Sequence, residues 1–508
     1  MDSARGDVVR VDFRFKRELA EKVEGNLASF CYQCGACVGD CPSATYGESF
    51  NPREIMLKVL YGLGEELLRE NSVLWQCTNC YSCHERCPQE VKPVEVIISL
   101  KNMLADRGLV SEPVGRVIKA FESSGRTAPL NPAVERMRDQ LGLPPLAAVP
   151  MDEIAALLKG ESTVEGRASD AATASRRAAA EPLVPEPGAR TPAQRAELVR
   201  AAVAGAAVGA RDRESPAKEV ATRRFAFFPG CLIPTRHPAM EKAIRSTLGK
   251  LGIDIVDLPG ASCCPDPIYF KSKDKLSWLA VAARNLTLAE EMGLDIFTNC
   301  SGCTATLSET RHLLENQTLR AKVNARLARI GRSYRGTTRI RHIATLVRDV
   351  AGYEAVRDTV VRPLTGLKVA IHYGCHLLKP SRIMQVDDPN NPTVLESLVR
   401  ALGAEPVRHR NWYLCCGKAC QTETIPSAMM HDLLTAVHEE KADLLCLICP
   451  TCFGQFDHGQ MKVAQAFGES FQTPPVYFFQ LLAFAQGVPY EELGLERQRF
   501  KPEVLKRF

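Results

Sequence analysis

The sequence of 508 residues lacks any uninterrupted apolar run of the about 18 residues that cross a bilayer, and its best candidate, 476–488, is too short. Residues 1–22 are densely charged and carry no apolar core of signal-peptide length. The formal net charge of +5 is small for this length, which argues against a nucleic-acid groove. No G-x-G-x-x-G motif follows a predicted strand, so we expect no flavin or NAD on this chain. These absences favour a cytoplasmic protein without nucleic-acid partners or direct membrane insertion.

Cysteine, in contrast, is abundant, with 20 residues. In a reducing cytoplasm stable disulfides are improbable, and ordered cysteine patterns more often bind metal. All but two of the cysteines fall into recognisable groups; the two left over are Cys420 and Cys446. We expect both to be buried small hydrophobic residues rather than ligands. The grouping of the others favours metal sites over incidental core thiols.

Two C-x2-C-x2-C-x3-C-P runs lie near the N-terminus: Cys31, Cys34, Cys37 and Cys41, then Cys77, Cys80, Cys83 and Cys87. At this spacing three thiolates wrap one cubane cluster, and the fourth is turned toward the other cluster. The spacing predicts two cubane [4Fe–4S] clusters, one on Cys31, Cys34, Cys37 and Cys87 and one on Cys77, Cys80, Cys83 and Cys41. Structural zinc is the alternative, but zinc takes four ligands and has no use for the third and fourth cysteines of each run.

An internal repeat occupies the second half of the chain. Each copy has one cysteine, then an adjacent pair, then C-x2-C. The two sets are Cys231, Cys263, Cys264, Cys300 and Cys303, and Cys375, Cys415, Cys416, Cys449 and Cys452. Five thiolates exceed what a tetrahedral zinc or an ordinary cubane takes. Adjacent cysteines can bridge or serve neighbouring irons, so we expect an unusual cluster in each copy.

Strands and helices alternate through both copies, which indicates parallel α/β sheets. Predicted strands cover 225–228, 295–298, 369–372 and 444–448, with a further strand from Asp254; predicted helices cover 240–251, 275–292, 393–402 and 427–441. Cysteines follow these strands directly. Because ligands of such sheets bind outside the carboxyl ends of strands, the cysteines are placed where a site is expected.

Composition predicts a multidomain protein. An all-α, two-cluster ferredoxin-like domain over 1–150 has helices after Pro52 and over 94–104 and 113–121. A linker rich in Ala, Arg and Pro follows over 151–222, with a weak helix over 192–207. The duplicated α/β domain has parallel sheets, with the first repeat over 223–365 and the second repeat, with the C-terminal tail, over 366–508. The linker is expected to tether the domains without fixing their geometry.

The duplicated module resembles the CCG-domain proteins, specifically the HdrB component of heterodisulfide reductase. The resemblance lies in FPGC at 228–231, SCCP at 262–265, HYGCHLLKP at 372–380, LCCG at 414–417 and CPTC at 449–452. The N-terminal runs CYQCGAC at 31–37 and WQCTNCY at 75–81 are similar to the HdrC component of that enzyme. The chain therefore looks like an HdrC–HdrB fusion. The first repeat reads Cys-Cys-Pro where the family name implies Cys-Cys-Gly, but all five of its cysteines remain.

The resemblance implies two noncubane [4Fe–4S] clusters, one on each set of five cysteines, with a small-molecule disulfide cleaved or formed between them. It also implies an HdrA-like flavoprotein as partner, with electron donors of hydrogenase, formate dehydrogenase or ferredoxin type. Disulfide reduction takes two electrons, and a cluster usually passes one at a time, so a duplicated site matches the stoichiometry.

Two side chains near Cys375 are candidate proton donors to the product thiolates, His376 and Lys379. The alternative for His376 is a hydrogen bond that tunes the cluster potential. The alternative for the whole chain is an electron conduit in a larger redox complex, without substrate chemistry of its own. Retention of both complete five-cysteine sets favours the catalytic hypothesis, because a conduit could tolerate the loss of one.

Overall fold

The computed structural model describes residues 11–22, 27–159, 223–422 and 424–508; the weak helix predicted over 192–207 lies outside these ranges. We call residues 11–22 and 27–159 the N-terminal segment. Its described helices are α1 Phe15–Lys22, α2 Ala36–Gly39, α3 Pro42–Tyr46, α4 Pro52–Leu60, α5 Gly64–Leu67, α6 Ser82–Glu85, α7 Pro93–Asp106, α8 Glu112–Ser124, α9 Pro132–Gln140 and α10 Met151–Leu158. No strand occurs in these two ranges, which agrees with the predicted all-α character.

Proline and asparagine set the start of α4. Pro52 occupies the first turn, and the Asn51 side chain accepts hydrogen bonds from the backbone amides of Arg53 and Glu54. Helix α7 also starts at a proline and is buried almost all round. It therefore forms the centre around which the cysteine-bearing loops of the N-terminal segment fold.

Each repeat forms a four-stranded parallel sheet. The strands are β1 Arg224–Phe227, β2 Asp254–Asp257, β3 Asp295–Phe297, β4 Ile340–Arg341, β5 Lys368–His372, β6 Glu405–Val407, β7 Leu444–Leu447 and β8 Pro475–Tyr477. The orders are β2-β1-β3-β4 and β6-β5-β7-β8, with every neighbouring pair parallel. The predicted duplicated α/β fold is confirmed. Strands β4, β6 and β8 were not predicted from the sequence.

Helices connect and flank the strands of both sheets. In the first repeat they are α11 Leu232–Arg236, α12 Pro238–Leu248, α13 Tyr269–Lys273, α14 Lys275–Met292, α15 Ser301–Leu313, α16 Gln317–Leu327, α17 Ile343–Leu346 and α18 Tyr353–Asp358. In the second repeat they are α19 Cys375–Leu378, α20 Ser381–Met384, α21 Val394–Ala401, α22 Thr424–Glu439, α23 Pro450–Phe467 and α24 Phe478–Ala485. Among the described residues, no helix combines the length and apolar character that a membrane crossing requires.

The two faces of β1 pack against different partners, because successive side chains of a strand alternate between faces. Phe225 and Phe227 join an apolar core that also contains Val369 and Ile371 of the second repeat. Phe228, just beyond the strand, joins a second core together with Phe121 of the N-terminal segment. The first repeat is therefore sandwiched between the second repeat and the N-terminal segment.

Helix α10 corrects the predicted start of the linker at residue 151. Ile154 and Leu157, one helical turn apart, are fully buried in the core of the first repeat. Glu153 pairs with Arg284 of α14, with 2.7 Å between carboxylate and guanidinium. The linker thus begins after Leu158, because α10 is amphipathic and packs against the first repeat. The composition typical of a solvated chain starts only downstream of this helix. The boundary between the repeats at 365 stays a prediction.

The described parts of the N-terminal segment and of both repeats form one compact unit. Tyr46 donates to Asp432 of the second repeat at 2.6 Å. Asn79 donates to Ser272 of the first repeat at 3.0 Å. The expectation that the linker leaves the geometry open is therefore wrong for the described residues, since direct contacts fix it.

Lys271 makes the most buried of these contacts. Its ammonium group is fully buried and lies 2.9 Å from Glu95 of α7 and 2.5 Å from Glu309 of α15. The Tyr81 hydroxyl lies 2.5 Å from the same ammonium nitrogen. The cluster ties the loop that bears Cys80 and Cys83 to the first repeat.

Replacing Lys271 with methionine should lower the free energy of unfolding by about 3–5 kcal/mol, because the buried Glu309 loses its cation and Glu95 keeps only the ion pair with Lys275. The measurement is denaturant unfolding of the anaerobically purified protein. A matched control is Arg382→Ala, which breaks an exposed ion pair with Glu90 between the second repeat and the N-terminal segment. That change should cost less than about 1 kcal/mol. Equal effects of the two substitutions would contradict a structural role for the buried cluster.

Candidate functional site

The cysteines of the two repeats converge on one cavity of about 240 Å³ at the carboxyl ends of the strands. All ten line it: Cys231, Cys263, Cys264, Cys300, Cys303, Cys375, Cys415, Cys416, Cys449 and Cys452. Each of them is buried. The structure therefore brings together every cysteine that the repeat pattern singled out.

The ten thiols form a continuous series of contacts. The Sγ atoms of Cys231 and Cys263 are 3.6 Å apart. Neighbouring thiols within hydrogen-bonding reach continue the series through Cys263, Cys264, Cys303 and Cys300 in the first repeat, and through Cys449, Cys452, Cys416, Cys415 and Cys375 in the second. The two series meet at Cys300 and Cys449. One five-thiol set thus contacts the other at Cys300 and Cys449.

A glycine precedes the first cysteine of each set for a steric reason. Gly230 has φ +71°, and a Cβ there would lie 2.7 Å from the Cys303 sulfur. Gly374 has φ +74°, and its Cβ would lie 3.2 Å from the Cys452 sulfur. Both glycines let the backbone pass close to the C-x2-C sulfurs in a left-handed conformation. Sequence reasoning did not single them out, although the Gly-Cys pair in both copies was the available signal.

Hydrogen bonds between thiols shift the pKa values of individual cysteines in opposite directions. The thiols of Cys300 and Cys452 donate toward Cys449 and hold its pKa well below the usual value. Conversely, the hydrogen bond with Cys415, followed by burial, raises the pKa of Cys375. Ten buried cysteine sulfurs in contact with one another are suited to binding iron–sulfur clusters, because each thiol loses its proton when it binds iron. Two tetrahedral zinc ions would leave two of the ten without a ligand role.

The first N-terminal set, Cys31, Cys34, Cys37 and Cys87, lines a small cavity near the protein surface. Cys34 is exposed, whereas the other three are partly buried. Burial, reinforced by the charge of Cys31, raises the pKa of Cys37 to about 11. The Gln33 amide donates to the Cys31 sulfur at 3.3 Å, and the Val91 backbone amide donates to Cys87 at 3.4 Å. We call these four cysteines the outer set.

The second N-terminal set, Cys41, Cys77, Cys80 and Cys83, is buried. Burial and the nearby Cys80 and Cys77 raise the pKa of Cys41. The Lys101 ammonium group, itself buried, donates to the carbonyl of Cys77 at 3.0 Å. We call these four cysteines the inner set. The structure groups both sets as the crossed spacing pattern predicts.

The inner set adjoins the second repeat. Cys80 belongs to one apolar cluster with Cys375, Cys415 and Cys420. Outer set, inner set, second-repeat set and first-repeat set therefore follow one another from the surface to the cavity. Sequence alone did not indicate which repeat the inner set would approach.

The two candidate proton donors are in different places. His376 lines the cavity, and its ring packs edge-on against Tyr81 with 5.7 Å between centroids. Burial lowers its pKa to about 4, and neither ring nitrogen makes a well-formed hydrogen bond to a described residue. Lys379 is not part of the cavity lining; its ammonium donates to Ser82 at 3.1 Å instead. The role of Lys379 as a proton donor therefore stays a prediction.

The N-terminal segment also contributes to the cavity. The Thr127 hydroxyl lies 3.1 Å from the Cys231 sulfur, and Val117 is part of the lining. Lys418 and Tyr269, from the two repeats, complete the polar part of the wall. Sequence reasoning missed these side chains, because none belongs to a cysteine motif.

The two leftover cysteines lie outside the cavity lining. Cys446 is fully buried in the centre of β7, as a small core residue would be. Cys420 is buried between the inner set and the second repeat, and its thiol donates to the Gln76 carbonyl at 3.5 Å. Both positions agree with the prediction that these residues are buried.

Known protein families match the N-terminal segment and the two repeats separately. A cysteine-rich domain model, named CCG, matches residues 225–308 and 369–457, and a 4Fe-4S dicluster domain model matches residues 27–91. The chain thus carries iron–sulfur domains in both halves. A solved structure of a hypothetical protein from Helicobacter pylori shares the fold, with a TM-score of 0.54, 14% identity and coverage of 97% of this chain and 76% of that one.

Curated relatives match each half separately. The HdrB component of the ferredoxin/F(420)H(2)-dependent CoB-CoM heterodisulfide reductase of Methanosarcina acetivorans is 40% identical over 279 residues, 54% of this chain and 93% of the relative. The membrane anchor subunit of 8-methylmenaquinol:fumarate reductase of Wolinella succinogenes is 32% identical over 275 residues, 54% of this chain and 95% of the relative. The iron–sulfur HdrC component of the CoB–CoM heterodisulfide reductase of Methanopyrus kandleri is 35% identical over 136 residues, 25% of this chain and 70% of the relative.

The resemblance expected from the cysteine motifs is thereby confirmed for both halves, and the relatives are components of larger enzymes. Identity at this level over most of each relative's length defines family membership. The chain belongs to the heterodisulfide reductase family, as an iron–sulfur protein in which an HdrC-like segment is fused to an HdrB-like segment.

Proposed function

We propose that this chain is the catalytic component of a heterodisulfide reductase-like complex and cleaves or forms a small-molecule disulfide in the ten-cysteine cavity. The observation that carries the proposal is the convergence of both five-thiol sets on one cavity, where they meet at Cys300 and Cys449. An oxidoreductase acting on sulfur groups needs access to both sulfurs of its substrate. A cavity walled by two equivalent metal-binding sets offers that access.

The ten cysteines would hold two noncubane [4Fe–4S] clusters, and the outer and inner sets would hold two cubane clusters. When bound, such clusters would supply or accept electrons singly. Reduction of a disulfide RSSR′ to RSH and R′SH takes two electrons and two protons. The chain's own part is to present one five-thiol set on each side of the cavity, to surround the substrate with buried sulfur and apolar atoms, and to deliver protons.

Electrons enter at the outer set, because Cys34 is exposed while the inner set is buried. They pass through the inner set to the second repeat, since Cys80 packs with Cys375 and Cys415. Contact between Cys300 and Cys449 then links the second repeat to the first. In this order the inner set and the second-repeat set each lie between two other cysteine sets.

A partner must supply the electrons. We assign this role to an HdrA-like flavoprotein, with donors of hydrogenase, formate dehydrogenase or ferredoxin type, because relatives of both halves are components of such reductases. The thiols in the described residues are all free, which fits a reducing compartment such as the cytoplasm.

His376 is the side chain best placed to pass a proton into the cavity. Replacing it with glutamine keeps an N–H donor but removes the exchangeable ring proton, so disulfide reduction should fall by about 10²-fold. Steady-state rates under anaerobic conditions measure this. The exposed His312, in the first repeat, provides a control, and His312→Gln should leave the rate within about twofold. A glutamine variant with the parent rate would instead favour a hydrogen-bonding role for His376.

An electron conduit is the second candidate function. It is favoured by the Wolinella succinogenes relative, which is named for a fumarate reductase rather than a disulfide reductase. The two candidate functions predict different responses of the protein to added thiols. Adding small thiols to the oxidised, iron-loaded protein should give a new paramagnetic signal if the cavity binds sulfur substrates. No signal with a panel of anionic and neutral thiols, together with normal electron transfer through the chain, would favour the conduit.

A further inference from the structure

The last strands of the two sheets, β4 and β8, pair in the same register with the strands that lead to the C-x2-C motifs. In the first sheet Phe297 pairs with Arg341, and in the second Cys446 pairs with Val476. Phe297 and Cys446 each lie three residues before the first cysteine of a C-x2-C motif. His342 and Tyr477, the residues after Arg341 and Val476, therefore occupy the same place in the two repeats.

Both residues cap a helix and are fully buried. His342 is the N-cap of α17 and its side chain caps that helix, whereas Tyr477 is the N-cap of α24 and its backbone amide donates to the Gln480 side chain. Neither has any exposed side-chain surface. Capping accounts for the start of these helices, but it does not account for where the far ends of the two side chains point.

Tyr477 reaches from the second repeat into the first. Its hydroxyl donates to the backbone carbonyl of Asn299, the residue directly before Cys300. The Asn299 side-chain amide donates back to the same hydroxyl at 2.6 Å. A buried phenol therefore holds the strand end that presents Cys300.

His342 reaches in the opposite direction. Its Nδ1 accepts from the Ala344 backbone amide at 3.4 Å, and burial lowers its pKa to about 4, so the neutral ring carries its proton on Nε2. The Nε2 atom lies near the backbone of Ile448, the residue directly before Cys449, but makes no hydrogen bond to a described residue. Of the two equivalent residues, Tyr477 is therefore the one that is hydrogen-bonded to the cysteine-bearing strand end of the other repeat.

We propose that Tyr477 is a positioning residue that sets the separation of Cys300 and Cys449, and with it the spacing of the two metal centres. The inference rests on the proposed function, in which both five-thiol sets bind metal. Spacing matters because the two sulfurs of a disulfide are about 2.05 Å apart and both have to be met at once. Support from the opposite repeat fixes that spacing better than two independent loops would.

The test uses the full-length, iron-loaded protein. Tyr477→Phe removes the hydroxyl and keeps the ring. Tyr373→Phe is the matched control, because Tyr373 is also fully buried but accepts from Leu395 within its own repeat. We expect unchanged iron content in both. In Tyr477→Phe alone, disulfide reduction should fall by about tenfold and the magnetic interaction between the two centres should weaken in electron paramagnetic resonance (EPR) spectra.

Asn299→Ala weakens the same contact from the other side, because the Asn299 amide donates to the Tyr477 hydroxyl. It should shift the rate and the EPR spectrum in the same direction as Tyr477→Phe, and it decides if Tyr477→Phe loses its iron. His342→Asn is a second control: it keeps an acceptor for the Ala344 amide and removes only a nitrogen without a hydrogen-bond partner, so it should retain the parent rate and spectrum.

The outcomes separate this inference from the proposed function. Parent rates and parent EPR coupling in Tyr477→Phe and in Asn299→Ala would overturn the positioning role. If the parent protein reduced no disulfide, the proposed function would fail. The coupling of the two centres would still show whether these side chains set their spacing.

Discussion

Replacing Cys449 with alanine should lower the rate of disulfide reduction by about 10³-fold or more and remove about four of the about 16 irons expected per chain. The size of the effect follows from the position of this residue, because Cys449 is both a proposed cluster ligand and the contact of its set with Cys300 of the other set. Iron and sulfide analysis of anaerobically prepared protein, together with steady-state rates, provides the measurement.

Cys446→Ala is the matched control for that variant. Cys446 lies three residues earlier in the same repeat and is equally buried, but its side chain belongs to the core and not to the cavity. We expect full iron content and a rate within about twofold of the parent protein, with a modest loss of stability. The assignment of the second five-thiol set would be wrong if both variants lost the same amount of iron.

Replacing Cys34 with alanine should lower turnover with a protein electron donor, such as a reduced ferredoxin, by about 10²-fold. Loss of one of four ligands disables the outer cluster, and the remaining route into the chain is buried. The cavity itself should stay intact, since Cys34 lies in the surface cavity and has no part in the ten-cysteine lining.

The measurement therefore has two readouts on the same sample. Ferredoxin-driven turnover should be lost, whereas the paramagnetic signal produced by thiol addition under oxidising conditions should persist. Cys446→Ala again serves as the control and should retain both. Undiminished turnover in Cys34→Ala would mean that electrons enter by another path, and the proposed order of the sets would have to be abandoned.

Much of the fold could be predicted because local signals were strong. The strand leading to Cys231, the long helix over 275–292 and the proline-started helix at Pro52 each follow from periodicity or capping residues, and the structure has them. The edge strands of the second sheet were missed for a physical reason. Strand β8 has three residues and runs directly into α24, so its apolar pattern cannot be separated from that of the helix.

Chain spacing predicted the two groups of N-terminal cysteines but not their neighbours. The crossed grouping of Cys87 with the first run and Cys41 with the second needs local geometry alone, and the structure shows both groups. Two other features depend on how distant parts of the chain pack. They are the contact of Cys80 with the second repeat and the hydrogen bond from Lys379 to Ser82. The same holds for Thr127, which reaches Cys231 from another part of the chain.

The equivalence of Tyr477 and His342, and the contact of Tyr477 with Asn299, could not be read from the sequence either. One residue is a tyrosine and the other a histidine, so the two copies of the repeat share no residue type at this position. Their equivalence depends on the register of β4 and β8, each of which lies at the edge of its sheet.

Metal analysis of the anaerobically purified full-length chain, combined with EPR spectra before and after thiol addition, tests the central claim most directly. About 16 irons per chain, with a thiol-dependent signal that Cys449→Ala abolishes and Cys446→Ala retains, is the result that we predict. About eight irons, all accounted for by the N-terminal cubane clusters, with zinc or no metal in the repeats, would contradict it.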